Sequence, residues 1–256
     1  MPALKIYQFP SLSDNYGVLV HDPASGKTAS IDAPDAGDVR KALAETGWNL
    51  THILVTHHHF DHVQGIGDLK SETGCHVTGP QAEADKIDTL DETVSDGDQF
   101  EFSGEPVHVI STPGHTLGMV NYHFPQSKVV FTGDTLFALG CGRIFEGDPA
   151  MMWNSMQKLM KLPPETQVYC GHEYTQSNAR FALTVDPDNS RLVTRAAQID
   201  ALREAGKPTL PTTIGEELAT NPFLRPNDKG IRSHLDMENA SDAEVFAEIR
   251  KRKDNA

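Results

Sequence analysis

Four times in this chain an apolar run ends in side chains that bind metals, and no other feature restricts its possible folds so far. The four segments are "HILVTHHHFDH" (52–62), "VISTPGHT" (109–116), "VVFTGDT" (129–135) and "VYCGHEYT" (168–175). Short apolar runs bounded by Gly, Pro and Asp read as strands, so His57, His59, Asp61, His62, His115, Asp134 and His172 all fall at strand ends. Directly after a strand, an extended backbone sends His57, His59 and Asp61 to one side and His58 and Phe60 to the other. His62 follows as the chain turns. Glycine beside His115, Asp134 and His172 lets each of those strand ends turn sharply. Taken singly, His115 and His172 read as ordinary satisfied histidines and Asp134 as a turn residue. Together they define a site, because crowded imidazoles are unfavourable unless a cation binds them.

The strand signals run from residue 1 to about 173 through "LKIYQF", "NYGVLVH", "KTASID", "HILVT", "PVHVIST", "KVVFTGD" and "QVYCG". Many short strands predict two packed sheets. Helical spacing marks "AGDVRKALAETG", "GIGDLKSETG" and "PAMMWNSMQKLMKL", where Met152, Met156, Leu159 and Met160 form a core stripe. Beyond about 174 the strand signals stop, and "NSRLVTRAAQIDALREAG", "TIGEELAT" and "SDAEVFAEIRKRKD" predict helices. Ser241 and Glu244 suit a capping box for the last of them. The expected organisation is therefore a first domain over 1–173 and a helical domain over 174–256.

Composition narrows the partners. With 22 basic against 36 acidic residues the net charge is -14, which argues against nucleic acid. No run approaches the roughly 18 apolar residues of a membrane span, and "MPALKIYQFP" lacks a basic segment leading into a long apolar one. A cytoplasmic, monomeric protein without a membrane partner is expected. Cys75, Cys141 and Cys170 are too widely spaced for a thiolate zinc site and odd in number, so they read as structural thiols. His21, His52, His58, His76, His108, His123 and His234 match no ligand position, and Trp48 and Trp153 read as packing residues.

His-x-His-x-Asp-His followed by the three later loops resembles the metallo-beta-lactamase superfamily over residues 1–173. The resemblance implies an α+β fold, a four-layer αββα sandwich, here followed by a small C-terminal helical domain. It also implies two divalent metal ions. His57, His59 and His115 would hold the first, Asp61, His62 and His172 the second, and Asp134 would bridge them, which makes Asp61 and Asp134 the catalytic carboxylates. Within the superfamily, "THHHFDH", "GDTLFALGCGR", "GHEYT", "NPFLR" and "IRKRKD" resemble, in order and spacing, glyoxalase II, the hydroxyacylglutathione hydrolases. Beta-lactamases proper usually lack the second histidine of "DH" and place cysteine where Asp134 stands.

That resemblance implies hydrolysis of the thioester of S-D-lactoylglutathione to D-lactate and glutathione, the second step of methylglyoxal detoxification. Nitrogen and oxygen donors without thiolate suit zinc, iron or manganese, zinc being the first expectation. A thiol with an ordinary pKa of about 8.5 leaves readily, so the motif needs no dedicated acid. By resemblance Arg143, Phe145, Tyr174, Arg250 and Lys253 form the glutathione site. Some family members carry tyrosine where this chain has Phe145. The basic end has a second reading, in which its cations merely complement the helix dipole. The rival functions are a persulfide dioxygenase or another hydrolase of the same fold, and, outside enzymes, a metal-binding scaffold.

Overall fold

The computed structural model describes residues 4–87 and 89–256, and the chain forms two compact units. The first joins Met1–Ser111 to Gly118–Gly133, and the second joins Thr112–Leu117 to Asp134–Ala256.

The first unit holds a six-stranded sheet, β1 (Lys5–Ser11), β2 (Asn15–His21), β3 (Thr28–Ile31), β4 (His52–Leu54), β5 (His76–Pro80) and β6 (Glu92–Val94), paired in that order. β1, β2 and β3 pair antiparallel, whereas β3 to β6 run parallel. Parallel neighbours need crossovers. Helix α1 (Ala36–Thr46) supplies the one before β4, while α2 (Phe60–Val63) and α3 (Ile66–Thr73) precede β5. Asp35 caps α1 by accepting from the Asp38 N–H, and Gly47 ends it at φ 71°. Ala36, Val39 and Ala42 of α1 with Ile66 and Leu69 of α3 bury against Ile53, Val55 and Val77, covering one face of the sheet.

A second, antiparallel sheet in this unit consists of β7 (Gln99–Phe102), β8 (Glu105–Ser111), β9 (Val120–Phe124) and β10 (Val129–Gly133). Every residue of β9 and β10 is buried. The sheets meet where the Tyr122 hydroxyl donates to the Val55 carbonyl at 2.7 Å and His52 packs edge-on to Phe102 at 5.4 Å. The expected pair of packed sheets is present.

The second unit contains the small ribbon β11 (Leu136–Phe137) with β12 (Gly140–Cys141), helix α4 (Pro149–Leu159), strand β13 (Gln167–Cys170), helices α5 (Thr175–Val185) and α6 (Ser190–Glu204), strand β14 (Thr212–Thr213), and helices α7 (Ile214–Thr220), α8 (Lys229–His234) and α9 (Asp242–Asp254). Met152, Met156 and Leu159 of α4 are fully buried, as their spacing predicts, whereas Met160, expected in the same stripe, lies at the helix end and is half-buried. Ala179 and Ala182 of α5 let α6 approach with Leu192, Ala196 and Ile199. The Ser241–Glu244 capping box on α9 is present.

The structure corrects three expectations. Strand signals do not stop at 174, because Thr212–Thr213 pairs antiparallel with β13. Helix α5, "TQSNARFALTV", joins those the sequence marks. The extended stretch also ends earlier than expected: His59 is the last extended residue, at ψ 143°, and Asp61 lies within the turn of α2. Alternation therefore accounts for His57 and His59 but not for Asp61.

Candidate functional site

In the first unit the site is built on the segment that follows β4. Thr56 anchors it, donating its N–H to Oδ1 of Asp32 at 2.7 Å and its hydroxyl to Oδ2 at 2.8 Å. His57 is buried behind it, and its Nε2 lies 3.2 Å from Nδ1 of His59. Two ring nitrogens this close share either a proton or a cation. His62 packs on His57 with ring centroids 4.1 Å apart, and its Nδ1 stands 2.7 Å from Oδ2 of Asp32. An imidazole donating from Nδ1 to a carboxylate is fixed in the tautomer whose Nε2 can ligate a metal. Asp32 reaches this position in the left-handed region at φ 55°. Asp61 is held by Asn15, whose side-chain amide donates to Oδ2 at 3.0 Å and to the backbone carbonyl at 3.2 Å.

His58 turns to different chemistry. Its N–H donates to Oε2 of the buried Glu83 at 2.6 Å, and its Nδ1 is 2.9 Å from the same oxygen. Oε1 of Glu83 accepts from the Gly118 N–H at 3.0 Å, so one carboxylate ties together two loops of this unit. Phe60 is 73% exposed.

The second unit gathers His115, Asp134 and His172. Oδ2 of Asp134 lies 3.2 Å from Nε2 of His172 and 3.5 Å from Nε2 of His115, and all three side chains are buried. His115 directs Nδ1 at the Arg143 carbonyl, 2.8 Å away, which again leaves Nε2 for ligation. Gly142 makes this possible, since a Cβ there would collide with the Asp134 carbonyl oxygen and press on His115. Burial pushes the Cys141 thiol up to about 11 and the Cys170 thiol to about 12, and raises that of Cys75. These buried thiols stay protonated at neutral pH.

The substrate residues expected from the sequence all lie in the second unit. Arg143 is well exposed, 3.6 Å from Asp254 and beside Phe145, which stands edge-on to His115 at 5.2 Å and is 60% exposed. Tyr174 stacks on His172 at 4.7 Å and 4°. Lys253 lies over the Phe181 ring at 5.3 Å, with Nζ 3.3 Å from the Ser177 hydroxyl. Arg250 differs, being only 6% exposed: it donates to the Cys141 carbonyl at 2.9 Å and to Asp254 at 2.8 Å, with its guanidinium over Phe223 at 5.2 Å.

Sequence reasoning did not find the buried residues that hold the ligand loops. Asn15, Asp32 and Glu83 do so in the first unit. In the second, Asn221 of "NPFLR" donates to the Gly140 carbonyl at 3.0 Å, Glu217 accepts from the Leu139 N–H at 2.8 Å, and Asn178 donates to the Ala138 carbonyl at 3.1 Å. The only sequence signal for Asp32 is an acid that directly follows a wholly buried strand.

Imidazole and carboxylate clusters at the ends of a two-sheet α+β fold define a class, and the comparisons name it. Residues 14–172 match the family model of the metallo-beta-lactamase superfamily. Residues 173–256 match the hydroxyacylglutathione hydrolase C-terminus. The chain is 60% identical over 253 residues to a hydroxyacylglutathione hydrolase of Mesorhizobium japonicum, covering 99% of both chains. It is equally identical to one of Brucella anthropi, covering 99% of this chain and 97% of that one. Among solved structures, ETHE1 from Myxococcus xanthus superposes with a TM-score of 0.69 at 28% identity over 96% of this chain and 90% of that one. The BLEG-1 B3 metallo-beta-lactamase, 21% identical, shares the fold with a TM-score of 0.68 over 86% of this chain and 100% of that one. This is a metallo-beta-lactamase-fold protein. Within that superfamily the chain belongs to the hydroxyacylglutathione hydrolase family, glyoxalase II. The family and the donor clusters together support a binuclear metal site.

Proposed function

We propose that this chain hydrolyses the thioester of S-(2-hydroxyacyl)glutathione, S-D-lactoylglutathione above all, to the 2-hydroxy acid and glutathione. The observation that carries the reading is 60% identity over 99% of the chain to a hydroxyacylglutathione hydrolase, in a sequence that keeps all the nitrogen and oxygen donors of the ligand set. In this reading His57, His59 and His115 would hold one ion, Asp61, His62 and His172 would hold the other, and Asp134 would serve both. Zinc is the proposed metal, with iron and manganese the alternatives that the same donors accept. Two such ions, when bound, would supply a water of lowered pKa and an electrophilic centre for the thioester carbonyl.

The chain's own residues do the rest. Asp32 and the Arg143 carbonyl orient His62 and His115 with Nε2 toward the reaction centre. The exposed cation of Arg143 and that of Lys253 bind the glutathione carboxylates, in charge-assisted contacts worth roughly 1.5–3 kcal/mol when well formed. Tyr174, stacked on His172, and Phe145, edge-on to His115, present flat apolar surface to the tripeptide. Arg250, committed to Cys141 and Asp254, is a positioning residue that fixes the Arg143 loop and the end of α9. The proposed division of labour is a catalytic domain over 1–173, which also lends Arg143 and Phe145 to the substrate, and a helical substrate-binding domain over 174–256. A cytoplasmic location, which fits three free, buried cysteines, and a monomeric state complete the proposal.

Thiol release from S-D-lactoylglutathione, measured with metal analysis on the same sample, tests the proposal. Turnover with about two ions per chain is expected. Metal-replete protein that is inert on this thioester, or that consumes oxygen with glutathione persulfide instead, overturns it.

A further inference from the structure

We infer that Asn15 is a positioning residue for Asp61, and that through it the β1–β2 hairpin sets the affinity of one of the two metal positions. The inference rests on the proposed ligand set, in which Asp61 serves one ion. Asp61 is a partly exposed member of that set, as is His59, and its side chain is 41% accessible, whereas His57 and His62 are buried. It sits in the first turn of a helix only four residues long, so its own element restrains it weakly. A carboxylate there has several rotamers open to it, and a ligand that must first be ordered binds its ion less tightly.

Asn15 removes that freedom. It is 5% exposed, and it opens strand β2 directly after the turn at 12–14. One amide nitrogen spends its two hydrogens on the same residue: one goes to Oδ2 of Asp61 at 3.0 Å and the other to the Asp61 carbonyl at 3.2 Å. Holding a side chain to its own backbone from a single outside point fixes the torsions between them. The hairpin tip is anchored in turn. Asp38 on α1 accepts from the Ser11 hydroxyl at 2.7 Å and from the Leu12 N–H at 3.2 Å. The chain of support therefore runs from α1 through the hairpin tip to Asn15 and Asp61. Neither His57 nor His59 depends on Asn15, because Thr56 and Asp32 anchor their segment. Loss of the amide should weaken one metal position and spare the other.

Two variants separate donation from packing. Asn15→Leu keeps the branched four-atom skeleton of the amide, with bulkier ends, and removes its donors; Asn15→Ala removes both. Each protein is loaded with zinc, dialysed against a graded chelator and analysed for metal, and the melting temperature of the metal-free form is recorded. Both variants are expected to release one equivalent at about 10–100-fold lower chelator strength than wild type, with the other equivalent unmoved and the metal-free Asn15→Leu protein melting near wild type. If wild type and variants lose both equivalents together at the same chelator strength, or if both equivalents weaken equally, the positioning role is overturned while the binuclear reading stands. Wild type saturating at one ion would overturn that reading and this inference with it. Should Asn15→Ala fail to fold, Asn15→Leu alone decides.

Discussion

At the scale of single residues, adjacent histidines in one heptad of sequence carry opposite assignments. His57 is buried among imidazoles, while His58 binds Glu83. The His58 backbone N–H, which alanine would retain, makes the shorter contact. His58→Ala should therefore keep activity within a few-fold, whereas Asp134→Ala should abolish it; equal losses in a steady-state assay would refute the assignment. Lys253 offers a pH test. Burial first, and then the neighbouring Arg250, lower its pKa from the ordinary 10.5, against an upward push from Asp254. Since the protonated form is the one that binds a carboxylate, KM for a glutathione thioester should climb as pH rises through this lowered value, earlier than a normal lysine would allow. In Lys253→Arg the climb should vanish, because guanidinium keeps its proton. A KM profile identical in the two proteins would exclude Lys253 from the binding step.

Elements act on the site through close backbone approach. The ribbon β11–β12 carries the chain from Asp134 to Arg143; side chains of α5 and α7 pin its turn, and side chains of α9 and the "NPFLR" turn pin β12. Leu139 accepts a left-handed φ of 57° there. At the end of the ribbon Gly142 leaves no room for a methyl group against the Asp134 carbonyl. Gly142→Ala must therefore displace Asp134 or His115, at a cost of about 1–3 kcal/mol typical of overpacking. The expected result is a lower melting temperature together with loss of bound metal. Retention of full metal content would mean that the ribbon yields without moving its ligands.

For the whole molecule, buried thiols give a stability signature. The pKa values of Cys141 and Cys170 are raised in the folded state, to about 11 and about 12. The unfolded chain ionises first, so their contribution is complete below the unfolded value near 9 and is lost as pH climbs through the folded values. Denaturant midpoints should fall above pH 9, and less steeply in Cys170→Ala than in wild type. Alkylation at pH 8 should label almost no thiol until the chain is unfolded. Rapid labelling of the native protein would show that these cysteines are reachable after all.

Sequence by itself marked the candidate donors and most of the strands they follow, because both depend on residues a few positions apart: an apolar run, a glycine that permits a turn, an imidazole or carboxylate just beyond. It determined most helices for the same reason, including the Ser241–Glu244 cap, whose partners are three residues apart. What holds those donors was decided only by tertiary structure. Asn15 and Asp61 stand 46 residues apart, Asp32 and His62 30 apart, and Arg250 reaches Cys141 across 109. No local period encodes such pairings. The same distance effect buries Arg250: helical spacing puts it on one face with Lys253, but only the packing of α9 against Phe223 and the Cys141 carbonyl decides that this face turns inward at Arg250.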